Sequence, residues 1–99
     1  MRMNITLEKV QSIRKIVEGV LGEHPHIVLF GSRARMDAGF GSDIDIGVSL
    51  DGRPLPSGTL TTLKEAFDGS SIVERVDVVD MGRVSAGFKM EVEKEAIII

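Results

Sequence analysis

From Asp43 to Leu50 the chain alternates without a break. Ile44, Ile46, Val48 and Leu50 fall on one side, and Asp43, Asp45, Gly47 and Ser49 on the other. A period of two predicts a strand with one apolar face turned to a core. It also sets two carboxylates on the opposite face, about 6.6–6.8 Å apart along the backbone. Aspartate is a poor strand former, so its use at both positions needs a reason beyond propensity. Crowded carboxylates repel, and a divalent cation relieves the repulsion. Ten residues upstream, the turn Gly31-Ser32-Arg33 breaks the apolar run Ile27-Val28-Leu29-Phe30. Its small side chains and backbone N–H groups suit a phosphate. Metal and phosphate together point to nucleotide chemistry.

A third carboxylate lies on the next predicted strand, in Val76-Asp77-Val78-Val79-Asp80. Asp77, flanked by valines, is the preferred partner of Asp43 and Asp45. Asp80 falls on the opposite face near the strand end, where capping the following helix is a natural role. Three carboxylates holding two Mg²⁺ ions are the arrangement used for in-line displacement at phosphorus. Ser32 is expected to contact phosphate. Arg33 and Arg35 supply fork-shaped donors that match phosphate oxygens, with Arg33 the one assigned to the nucleotide. Ser42, next to the aspartates, is counted with the nucleotide-binding residues.

Periodicity places helices over 6–22, 59–67 and 83–95, with strands at 27–30, 43–50 and 72–81. Thr6 caps the first helix and Gly22 ends it. Residues 33–38 are expected to form one helical turn and 39–42 a loop. This order implies one small α/β domain over residues 1–99, a mixed central sheet packed with helices. Ile97-Ile98-Ile99 closes the chain, and such a run is expected to be buried in the fold or in an interface.

The bulk numbers exclude other classes. Apolar runs reach four residues, far short of the about 20 that span a membrane. There are no cysteines and no apolar leader, which fits a cytoplasmic protein. A net charge of -3 and four aromatics, all Phe, argue against stable nucleic-acid binding. Gly39-Phe40-Gly41 lacks the third small residue of a dinucleotide loop, and no Gly-Lys-Ser/Thr triplet forms a Walker loop. Asp43-x-Asp45-x-Gly47 resembles a calcium loop at its start, but the twelfth position is Pro54.

The strings Gly31-Ser32-Arg33-Ala34-Arg35 and Gly41-Ser42-Asp43-Ile44-Asp45-Ile46 resemble the signature of the polymerase-beta-type nucleotidyltransferases. In those proteins a strand leads into Gly-Ser, a short helix follows, and the next strand carries Asp-x-Asp. The chain is most similar to the minimal, antitoxin-type members, with Met36 standing where a glycine is frequent. The resemblance implies Asp43, Asp45 and Asp77 as catalytic metal ligands, and Gly31 and Ser32 as triphosphate contacts. It implies Mg²⁺-dependent transfer of a nucleoside monophosphate, AMP from ATP, to an acceptor with release of pyrophosphate. It also implies a partner, a small helical HEPN-type toxin whose tyrosine or other hydroxyl accepts the AMP, in a toxin–antitoxin pair. The competing expectation is a non-catalytic module that neutralises the toxin by covering it. Homo- and hetero-oligomers are both open.

Overall fold

The computed structural model describes residues 5–22, 24–35 and 42–99. The first helix, α1 (Leu7–Leu21), begins where the Thr6 hydroxyl accepts from the Lys9 amide. It ends at Gly22, whose φ of 69° is left-handed and whose N–H donates to the Glu18 carbonyl. Glycine takes that conformation without a Cβ penalty. Val10, Ile13 and Val17 form the buried stripe of the helix, as their spacing of three and four requires.

Four strands make one sheet: β1 (His26–Phe30), β2 (Ile44–Ser49), β3 (Val76–Asp80) and β4 (Ile97–Ile98). Their order is β3-β2-β1-β4. β1 runs antiparallel to both β2 and β4, while β2 and β3 are parallel. The parallel pair needs a crossover, which contains α2 (Thr59–Asp68). The result is the small mixed α/β sheet with helices that the sequence implies.

Alternation sorts the sheet into two faces. Ile27, Leu29, Ile44, Ile46, Val48 and Val78 are buried in one cluster with α1 and with Leu63 and Phe67 of α2. The last helix, α3 (Ala86–Glu93), buries Val92 apart from that cluster. Val92 shares a cavity with Val28 and Gly47, which places α3 on the opposite face of the sheet. That face carries Asp45 and Asp77.

Two elements differ from expectation. The third strand starts at Val76, not at 72, because β2 offers a partner only from Ile44, which pairs with Val76. Val73, ahead of it, is 93% exposed. β4 was not anticipated. Its pairing with Val28 and Leu29 explains the terminal isoleucines: Ile99 is buried and Ile97 half-buried, while Ile98 remains exposed. Residues 36–41, which include Met36 and Gly39-Phe40-Gly41, lie outside the described residues. The helical turn expected over 33–38 is instead found earlier, as a 3-10 turn over Gly31–Arg33, and residues 36–38 lie outside the described residues.

Asp80 is part of the fold. It is buried, and its carboxylate accepts from the Leu55 and Gly82 amides and from Arg83 Nε, at 3.0, 3.0 and 3.1 Å. It thereby ties the end of β3 to the loop before α2. Removing it strands buried N–H donors, which costs about 2–4 kcal/mol. Asp80→Ala is therefore expected to lower the unfolding free energy by that amount, and with it the urea midpoint, whereas Asp77→Ala leaves both nearly unchanged. Equilibrium urea unfolding of both variants measures this.

Candidate active site

The register of the sheet builds the site. Phe30 pairs with Asp45 across the antiparallel ladder, and Asp45 pairs with Asp77 across the parallel one. Neighbouring strands lie about 4.7–4.9 Å apart, so two carboxylates on one face at one register position crowd each other. Asp43, exposed just before β2, completes the group. Burial raises the pKa of Asp45 above the ordinary carboxylate value. The negative charges of Asp77 and Asp43 push it further up, and the Arg35 guanidinium opposes them.

Gly31 sits against Asp45. It has a φ of 75°, and a Cβ built there would lie 2.4 Å from Asp45 Oδ2. Only glycine meets both conditions, the left-handed backbone and the close approach. The phosphate-type turn and the carboxylates are therefore in contact, as their sequence motifs suggested. Ser32 follows at the 3-10 turn, half-buried.

The two arginines separate. Arg33 is buried and directs its guanidinium to the Ser42 carbonyl at 2.7 Å and to Glu74 at 3.5 Å. Arg35 is half exposed and bonds both Glu95 carboxylate oxygens, at 3.0 and 3.3 Å. Arg33 thus reaches the protein framework, while Arg35 stands beside the carboxylates. Ser42 offers its backbone carbonyl to that framework.

Carboxylate oxygens are hard ligands suited to Mg²⁺, and a cation would offset the burial and repulsion that raise Asp45. The group is not fully drawn together. Asp77 bonds Arg75 Nε at 3.0 Å, and among the described residues no three acidic or histidine side chains are placed to hold an ion. Asp77 would have to exchange Arg75 for the metal. One register step from Asp45, Val28, Gly47 and Met81 line a cavity of about 270 Å³ beneath α3.

Residues 11–99 match the family described as Polymerase beta, Nucleotidyltransferase. This chain belongs to that family. The nucleotidyltransferase is 28% identical over 98 residues to "Probable protein adenylyltransferase MntA" of Haemophilus influenzae, covering 99% of this chain and 84% of that protein. Its fold matches a solved structure described as "Crystal structure of the toxin-antitoxin with AMP-PNP" with a TM-score of 0.72. That match has 22% identity and covers 95% of this chain and 72% of the other. Among the described residues no helix of the nucleotidyltransferase is long and apolar enough to cross a membrane.

Two glutamates of the nucleotidyltransferase escaped sequence reasoning. Glu95 holds Arg35 and also accepts from the Gly31 N–H at 3.2 Å. Glu74 joins Lys9 of α1 to Arg33. For Glu74 the only signal is indirect, since a buried Arg33 requires an anion, and for Glu95 there is none. Glu74 is nearly buried, and its hydrogen bond from Lys9 holds its pKa below the ordinary glutamate value. Burial opposes this, and the charges of Lys9 and Arg33 reinforce it. A depressed acid stabilises the fold fully above the unfolded glutamate value of about 4.3, and that stability is lost as pH falls through the lower folded value. Glu74→Gln should therefore cost about 1–3 kcal/mol at pH 7. The deficit should shrink below about pH 4.3, where the unfolded chain begins to protonate at Glu74, and be least once pH has fallen through the lower folded value. Urea midpoints of both proteins from pH 7 to pH 3 check the sign.

Proposed function

We propose that this nucleotidyltransferase transfers AMP from ATP to a hydroxyl of a protein partner, with Mg²⁺ held by Asp43, Asp45 and Asp77. One observation carries the reading: Asp45 lies in register with Asp77 and against Gly31, which joins a metal-binding group to a phosphate-binding turn. The similarity to a protein named as an adenylyltransferase supports AMP as the group moved and a protein as the acceptor. The neighbour described as a toxin–antitoxin with AMP-PNP supports a toxin as that protein. We assign the partner as a small helical HEPN-type toxin and the acceptor as a tyrosine or another hydroxyl.

The acceptor hydroxyl gives up its proton to water as its oxygen forms a bond to the α-phosphorus and the bond to the bridging oxygen of the β-phosphate breaks. Pyrophosphate leaves, carrying the electron pair of that bond. The Gly31 and Ser32 region receives the β- and γ-phosphates through N–H and hydroxyl donors. Arg35 offsets charge on the phosphates. The cavity over Val28 and Gly47 takes apolar parts of the reactants. Bound Mg²⁺ supplies Lewis-acid stabilisation of charge on the phosphoryl oxygens. Arg33 acts through position: by holding the Ser42 carbonyl it fixes where Asp43 and Asp45 begin.

A second reading rests on the ion pair of Asp77 with Arg75 and on the carboxylates' incomplete convergence. Under it, the chain covers a toxin without modifying it. One experiment separates the two. The purified chain is incubated with Mg²⁺, α-phosphate-labelled ATP and a purified small helical HEPN-type toxin. Label on the helical protein is expected, and Asp45→Asn should reduce it by about 10²-fold or more. Inhibition of the toxin with no label, equal in wild type and Asp45→Asn, would establish the second reading.

A further inference from the structure

Glu95 holds two donors at once. Its Oε1 accepts from the Gly31 N–H at 3.2 Å and from Arg35 Nη1 at 3.0 Å, and its Oε2 lies 3.3 Å from the same guanidinium nitrogen. A backbone N–H in a left-handed glycine turn beside an arginine is a seat for an anion. The seat opens into a cleft of about 410 Å³, whose wall includes Phe30, Gly31, Arg35, Phe88, Lys94 and Glu95. The cleft is wide enough for phosphate groups. Lys94 also lines it but is ion-paired with Glu91 of the same wall at 3.0 Å, so the charge that faces Glu95 is that of Arg35. Glu95 lies just past the end of α3, 64 residues along the chain from Gly31. Nothing in the turn's own sequence requires this acid.

We propose that Glu95 occupies the seat of a nucleotide phosphate, so that a polyphosphate must displace its carboxylate to bind. This rests on the reading above that the Gly31 turn receives the triphosphate, and it adds how that site is regulated. Both anions answer to the same chemistry, since Gly31 N–H and Arg35 bond any oxyanion of suitable reach. Glu95 is tethered, so it competes at high effective concentration. A polyphosphate, with more charge and more oxygens, displaces it. A single phosphate group offers little advantage over the carboxylate. The side chain is 29% exposed and can rotate into the cleft without disturbing β4, whose backbone pairs with β1.

Calorimetric titration of the full chain with sodium tripolyphosphate, and separately with MgATP, tests this. Glu95→Ala should bind tripolyphosphate about tenfold more tightly than wild type, since a competitor has been removed. Glu95→Gln should fall between them, because its amide oxygen still accepts from Gly31 but carries no charge. Circular dichroism melting establishes which variants are folded, and Glu95→Gln decides the matter if the alanine variant is not. Unchanged or weaker tripolyphosphate binding by the folded variants, with MgATP still bound by wild type, overturns this inference alone. Binding of neither ligand by any folded form overturns this inference and the nucleotide reading together.

Discussion

Two carboxylates side by side on parallel strands form the least comfortable feature of this protein, and the rest of the site is arranged around them. Asp45 and Asp77 share a register position on a sheet face that the main core does not use. Neither has an internal reason to be there. The apolar alternation of β2 fixes the strand, and Asp45 sits where a serine or threonine would serve the fold as well. A group kept at a position that raises its pKa by burial and by like charge is the usual mark of a functional site. The glycine turn pressed against Asp45 adds backbone N–H donors beside that carboxylate, which is the combination the proposed nucleotide chemistry needs.

The helices and the buried face hold this arrangement in place. α1 and α2 cover one side through Ile13, Val17, Leu63 and Phe67, while α3 lies on the other, the side that carries Asp45 and Asp77. Buried polar groups then lock the ends of the strands. Asp80 fastens the end of β3, and Arg33 with Glu74 joins the start of β2 to the residues before β3. These charges are paired, the condition under which a small core tolerates them, although the Arg33 Nε and Glu74 Oε1 atoms are buried without a hydrogen bond among the described residues. The acids of this sheet thus divide by face: Asp80, on the side of α1 and α2, holds structure, and Asp45 and Asp77 stand together on the other.

The parts of this picture legible in the sequence are those governed by local rules. The Thr6 and Gly22 caps, the stripe of α1, the alternation of β2 and the separation of Asp77 from Asp80 by face all follow from periodicity and capping chemistry. What stayed hidden depends on residues far apart in the chain. β4 is two residues long and has no period of its own, so its pairing with β1 could not be read from Ile97 and Ile98. Arg33 reads as an exposed phosphate ligand in its own segment, and the Ser42 carbonyl together with Glu74, 41 residues away, draws it inward. Glu95 is equally silent, since its partner Gly31 lies at the other end of the sequence. Val73 reads as strand by composition, yet it stands ahead of the first residue that β2 can pair.

The central claim is that Asp45 is electrostatically strained by its neighbours, and side-chain carboxyl NMR of the ¹³C-labelled chain tests it most directly. The account predicts that Asp45 titrates above the ordinary aspartate value in the absence of metal. It predicts that Asp77→Asn moves the midpoint part of the way down, with burial sustaining the remainder, and that Mg²⁺ lowers it further. An ordinary or depressed midpoint, indifferent to both Asp77→Asn and Mg²⁺, would contradict it.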